Sequence, residues 1–228
     1  MELDPGYADP YALLGFWDWL EYVWQRNNDA SALNRALERA NKALALDDSN
    51  SLAYMVRAWV ADSEGEREQA LLNAGRAVTV EPNSALWWML RAAINDDFAG
   101  KPEETLTYVQ KARRLDPRHP EIGCLPEGVA YNNMGRFAQA VEALKECENT
   151  GINNQNSGGT YNPWTHLSLV YAYSELGRQR EAQDEVAELQ RVSPGFSLER
   201  MQETSRGINW QEPKSQHYLA ALRKAGLK

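Results

Sequence analysis

Apolar and small residues recur along this chain at intervals of three and four, the period of an amphipathic helix rather than of a strand. Over Ser51–Glu64 the row runs Tyr54, Ala58 and Ala61 with Arg57 beside it, and beyond Gly65 it continues as Ala70, Ala74 and Ala77. Alanines at this spacing put minimal side chains on one helical face, which lets two helix backbones approach closely. Gly65 supplies a turn between the stretches. Pro82 ends the second one, because proline cannot donate the next backbone hydrogen bond. The segment 51–82 therefore predicts a tight antiparallel helix pair.

The same arrangement repeats. Gly65, Gly100, Gly135 and Gly177 are separated by 35, 35 and 42 residues. Five residues after each glycine stand Ala70, Thr105, Ala140 and Ala182, and seventeen after each stand Pro82, Pro117, Ile152 and Pro194. The distance from glycine to stop is constant while the distance between units varies. That is how a second helix of fixed length, with tolerant loops between units, reads. The polar stretch Asn149–Asn162 accounts for the seven extra residues before the last unit.

These spacings carry a resemblance. His166-x2-Leu169-Val170-x2-Tyr173, Ala182-x3-Val186 and Pro194 fit the W-x2-L-G-x2-Y…A-x3-F…P pattern of the tetratricopeptide repeat. Tyr54-x2-Arg57-Ala58-x2-Ala61, Ala70-x3-Ala74 and Pro82 fit it equally. Cys124-x2-Glu127-Gly128-x2-Tyr131 with Ala140-x3-Leu144 keeps the spacing with weaker residues, and Trp88-x2-Arg91-Ala92 with Thr105-x3-Val109 needs one extra residue. The first unit, from Tyr11-x2-Leu14-Gly15 to Asp48, needs about nine residues inserted near Tyr22–Ala30. The resemblance implies an all-α, right-handed α-solenoid of about five helix pairs. The units run 8–50, 51–84, 85–120, 121–162 and 163–196 within an array over 1–196, and a C-terminal cap covers 197–228.

Both ends add expectations. Leu3-Asp4-Pro5 looks like the tail of an earlier repeat, as though a longer array or another domain preceded it. Pro213–Gly226 reads as an amphipathic helix with Tyr218, Leu219 and Leu222 on one side and Lys214, Arg223 and Lys224 towards water. A solenoid needs such a cap over its last apolar face. Pro194-Gly195-Phe196-Ser197-Leu198 followed by Tyr218-Leu219-x2-Leu222 resembles the C-terminus of bacterial class III adenylate and guanylate cyclases and winged-helix regulators that carry such repeats. No catalytic or DNA-binding motif accompanies that likeness.

Composition narrows the function classes. Apolar residues make up 43% of the 228 and charged residues 25%, values of a globular chain rather than a disordered one. Lys plus Arg number 24 against 32 Asp plus Glu, for a net charge of −8. A surplus of carboxylates argues against coating nucleic acid or an anionic membrane surface. No apolar run approaches a membrane span, and Met1–Pro10 lacks the basic and apolar regions of a signal peptide. Cys124 and Cys147 have no metal-ligand spacing and fall on packing positions, one in each helix of the same unit. The expectation is a cytoplasmic, reducing setting, two buried inert thiols and no disulfide framework as a source of stability.

Candidate chemistry is sparse. His119, His166 and His217 are far apart, and no pair has metal-site spacing. His166 occupies a packing position. Glu103-Glu104 follows Pro102 in a first helical turn, where acids complement the helix dipole. No P-loop, GxGxxG or GxSxG motif is present. No catalytic residue, metal or cofactor is expected, and the chain does not read as an enzyme.

The resemblance does imply a binding face. First helices of such arrays line a concave groove, which carried over unit by unit gives Phe16 and Trp19; Leu52, Met55, Trp59 and Asp62; Leu86, Met89, Ala93 and Asp96; Leu125, Val129 and Asn132; and Trp164, Leu167, Tyr171 and Ser174. An aromatic, Met-rich groove edged by acids suits a protein or peptide ligand with basic flanks, with Trp59 as anchor. A clamp for a chaperone's C-terminal carboxylate would need Lys, Arg and Asn where Met55 and Met89 stand. The competing expectations are that the cap or a neighbouring chain already covers the groove, or that the groove or the 1–24 face buries against a second copy as a homo-oligomeric scaffold.

Overall fold

A computed structural model describes residues 6–25, 30–95, 101–119, 121–149, 163–204 and 208–228. They form helices α1 (Asp9–Gln25), α2 (Ala30–Leu46), α3 (Ser51–Glu64), α4 (Arg67–Val80), α5 (Ala85–Asn95), α6 (Pro102–Leu115), α7 (Cys124–Asn133), α8 (Phe137–Asn149), α9 (Pro163–Glu175), α10 (Gln179–Val192), α11 (Leu198–Thr204) and α12 (Pro213–Lys224). Consecutive helices pair as α1/α2, α3/α4, α5/α6, α7/α8 and α9/α10, and each second helix also packs on the first helix of the next pair. The result is an α-solenoid of five helix pairs with a C-terminal capping helix.

The pairs close for the reasons the spacing implies. At the ends of α3, α7 and α9 the backbone turns through Gly65, Gly135 and Gly177 at φ +80°, +72° and +72°. In each turn the amide after the glycine donates back to a carbonyl five residues earlier: Glu66 to Ala61, Arg136 to Tyr131 and Arg178 to Tyr173. This is the Schellman closure, and its left-handed residue favours glycine. Gly100 lies outside the described residues. The alanine rows Ala36/Ala40/Ala43 and Ala70/Ala74/Ala77 are fully buried. Between α7 and α8 even alanine is too large, since a Cβ on Gly128 would stand 2.4 Å from Leu144 Cγ. In the first unit, part of the inserted length goes into the helices, with 17 residues in each of α1 and α2 against 14 in each of α3 and α4.

Curvature follows from which helices meet. The first helices touch in succession, α1 with α3, α3 with α5, α5 with α7 and α7 with α9. Successive second helices make no comparable contact among the described residues. A stack that meets along one side curves towards that side, so the first helices line the inner face. At the carboxyl end α12 packs on α9, the last of the first helices. Tyr218, Leu219 and Leu222 are buried there in one core cluster with Leu167, Val170 and Leu189. The amide of Leu198 donates to the carbonyl of Lys228 at 2.8 Å, which ties the chain's last residue to the start of α11.

The cysteine expectation is corrected. Cys124 and Cys147 form a disulfide across α7 and α8, with Cα atoms 5.6 Å apart, and no free cysteine remains among the described residues. Packing positions on the two helices of one unit face each other at disulfide distance.

Candidate interaction face

Of the positions expected on the inner face, those at the amino-terminal end bring the most aromatic rings together. Trp19 of α1 and Trp59 of α3 stack at 4.7 Å between centroids with an interplanar angle of 15°. Phe16 lies 5.4 Å from Trp59 and 6.1 Å from Trp19. All three rings are half-buried, so each keeps an exposed edge or face. The Trp19 indole donates to Ser63 Oγ at 3.2 Å, and Ser63 Oγ donates to the Trp59 carbonyl at 2.8 Å. One polar side chain thus fixes the Trp19 ring against the last turn of α3. Offset stacking of this kind adds about 0.5–1.5 kcal/mol per pair beyond area burial.

Trp59 is also structural. It packs on the edges of both amino-terminal core clusters, one built from α1, α2 and α3 and the other mainly from α3, α4 and α5. Leu52 bridges the same two clusters. Met55 belongs to the second of them with no exposed surface, and Leu167 is equally enclosed in the carboxyl-terminal cluster. Those two positions are core and do not line a ligand surface, because close packing of successive first helices covers them.

The rest of the face is less aromatic. Leu86 is exposed and Met89 half-buried on α5, and Leu125 and Val129 are half-buried on α7. Asp62 is half-buried, whereas Asp96 lies outside the described residues. Asn132 is buried and donates to the Ser168 carbonyl at 3.0 Å, so it serves to join α7 to α9. Trp164 and Ser174 are half-buried. Tyr171 meets Phe137 at 5.8 Å, Tyr218 at 5.0 Å and His217 at 6.1 Å, the last two from the cap. Burial, with the nearby Glu175 charge, raises the Tyr171 hydroxyl to about 12, so it stays neutral. At this end α12 covers part of the Tyr171 ring.

Charged groups inside the array have structural partners. Glu185 of α10, 7% exposed, accepts from His166 Nδ1 and from Lys145 Nζ, each at 2.7 Å. Burial raises the Glu185 carboxyl, but the two donors outweigh it and hold the group below the ordinary glutamate value. His166 is therefore a packed residue with an ionic partner that links α9 to α10. Spacing alone could not name that partner, 19 residues away. Arg113 similarly reaches Glu127 at 2.7 Å and Glu146 at 3.2 Å. Trp88 packs on Tyr108 and Arg91, but the more deeply buried indole is Trp87, which donates to Glu81 at 2.6 Å and Ser51 at 3.1 Å. No trio of His, Cys, Asp or Glu among the described residues could hold a metal ion. No described helix is long and apolar enough to cross a membrane.

Known structures share the fold at low sequence identity. PilW, described as a widely conserved type IV pilus biogenesis factor, superposes with a TM-score of 0.67 at 19% identity, covering 95% of this chain and 92% of its own. TTC0263, a thermophilic tetratricopeptide-repeat protein of Thermus thermophilus, gives 0.63 at 19%, covering 88% and 98%. PilF of Pseudomonas aeruginosa gives 0.57 at 20%, covering 88% and 82%. No protein-family model and no curated protein matches the sequence. These likenesses establish a helical-repeat solenoid of tetratricopeptide type and leave function to the site.

Proposed function

We propose that the chain is a non-catalytic protein- or peptide-binding module whose ligand lies along the inner face of the first helices. The observation that supports this reading is the run of half-buried apolar side chains along the first helices, from Phe16, Trp19 and Trp59 through Met89 to Leu125 and Val129. Half-buried aromatics held rigid by their neighbours are the usual anatomy of an interface hot spot. The likeness of the C-terminal stretch to repeat regions of signalling proteins fits an interaction role within a larger assembly. Peptides selected on the wild-type chain from a displayed random library test it. They should lose binding to Val129→Glu, on the inner face, and keep it on Leu72→Glu, on exposed α4. Equal binding to both variants would remove the reading.

The Cys124–Cys147 disulfide supports an oxidising compartment rather than the cytoplasm expected from cysteine count alone. Thiol trapping of the protein drawn directly from its host should find both cysteines unreactive until a reductant is added. Two alkylated thiols in the untreated sample would restore the cytoplasmic assignment.

Self-association is a second reading with its own observation. Leu13 and Trp17 stand one turn apart on α1, each about half exposed, at 51% and 52%. Sedimentation of wild type and Trp17→Ser tests whether that face joins copies, by a shift towards monomer in the variant.

A further inference from the structure

Building on the inner-face reading, we propose that its amino-terminal end is a cradle for a cationic amphipathic peptide. An apolar anchor would sit on Phe16, Trp19 and Trp59, and its lysines or arginines would meet Glu64, Glu66 and Glu68. The three carboxylates are exposed and run from the end of α3 through the turn into the first turn of α4, starting directly after Ser63, the residue to which the Trp19 indole is hydrogen-bonded. The aromatic surface and the acidic edge are therefore contiguous. The one cation between Val60 and Gly75, Arg67, donates to the Asn95 carbonyl at 3.2 Å.

Charge along the chain points to the same partner. Residues 1–95 contain 14 of the 32 carboxylates but only 8 of the 24 cations, so most of the net charge of −8 belongs to this part. The equivalent turns further on begin with Lys101, Arg136 and Arg178 where this one has Glu66. A basic ligand is thus drawn to the second unit and away from the fourth and fifth. At the far end Tyr171 is already met by Tyr218 and His217 of the cap. Among the described residues, only the amino-terminal end of the face combines open aromatic surface with a local excess of negative charge, the complementarity that directs docking and sets its salt dependence.

The experiment titrates the full chain with a short amphipathic peptide of lysine and leucine, and with its glutamate–leucine counterpart, by tryptophan fluorescence and calorimetry. The lysine peptide should bind and the glutamate peptide should not, with affinity falling as salt is raised. Trp59→Ala should weaken binding roughly 30-fold. The triple change Glu64→Gln, Glu66→Gln and Glu68→Gln should weaken it roughly 10-fold and flatten its salt dependence. A control with the same charge change at Glu142→Gln, Asp184→Asn and Glu199→Gln should leave binding intact. Trp59 packs on two core clusters, so if Trp59→Ala fails to fold, the surface triple variant carries the decision alone. Equal losses in both triple variants, or equal binding of both peptides, overturn the cradle. Binding that survives the cradle variants and is lost in Val129→Glu overturns the cradle but keeps the inner-face reading. No binding of the lysine peptide, with Trp59→Ala shifting a monomer–dimer balance instead, overturns both in favour of a second copy.

Discussion

At the carboxyl end of the solenoid α12 lies on α9 and buries Tyr218, Leu219 and Leu222, and its exposed side carries Lys214, Arg223 and Lys224. At the amino end α1 packs on α2 and α3 alone among the described residues and leaves Leu13 and Trp17 about half exposed. The carboxyl half is also cross-linked, by Cys124–Cys147 and by Glu185 held between Lys145 and His166. The amino half also holds a buried carboxylate, Asp18 between Arg35 and Arg39, beside its stacked aromatics and alanine rows, but has no disulfide among the described residues. In an array where each unit is stabilised by its neighbours, local cohesion and exposed apolar surface need not coincide. Here the covalently cross-linked half is the one that carries the cap, and the half with exposed aromatic surface is joined by ion pairs and packing alone among the described residues.

The largest perturbation is to unseat the cap. Leu219 is fully buried, and Leu219→Ala should destabilise by about 3–4 kcal/mol, from lost apolar burial plus the cavity left behind. Urea unfolding followed by circular dichroism would measure it. A loss below about 1 kcal/mol would mean that α12 is not an integral part of the array.

Reducing the disulfide should come next. It closes a loop over a sequence separation of 23, for which chain entropy gives about 3 kcal/mol. Melting with and without reductant, and of Cys124→Ser with Cys147→Ser, should show the loss confined to the carboxyl half. Hydrogen exchange would then find the amides of α2 and α3 as protected as before. Uniform loss across the array would erase the contrast between the halves.

The pattern of turns was legible in the chain because backbone geometry imposes it locally: Gly65, Gly135 and Gly177 are needed at positive φ, and the alanine rows are needed at the pair interface. The face assignment was legible only in part. Positions one turn apart on a first helix share a face, yet Met55 and Leu167 are enclosed while Trp59 and Tyr171 are not. That difference depends on how closely the next pair approaches, which no single helix encodes. The Glu185 partners and the disulfide escaped for the same reason, since each joins residues brought together by packing between helices.

Glu185 offers a smaller effect with a defined sign. Its carboxyl is held below the ordinary glutamate value in the folded chain, against the opposing effect of burial. Its contribution is therefore fully present above the ordinary glutamate range and is lost as pH falls through that range to the lowered value. Hydrogen bonds to a charged group are worth about 1.5–3 kcal/mol, so Glu185→Gln should cost about 2 kcal/mol at neutral pH. The variant's stability should also fall less steeply than wild type below neutrality. Parallel pH profiles for the two proteins would show that Lys145 and His166 do not depend on this carboxylate.

The smallest expected effect tests the open end itself. Trp17 is 52% exposed and its ring contacts Phe16 at 6.1 Å, at the outer limit of aromatic contact. Trp17→Ser should change stability by no more than about 0.5 kcal/mol, as surface substitutions generally do. It removes exposed apolar surface, so it should raise solubility and leave binding of a lysine–leucine peptide on Trp59 unchanged. Trp17 and Trp59 both contact Phe16, but Trp17 is the more exposed, so the substitution separates the exposed surface of α1 from the cradle. A loss of several kcal/mol on Trp17→Ser would mean that the ring is buried in the working protein. The amino end would then be capped by contacts outside the described residues, and the two ends would be finished alike.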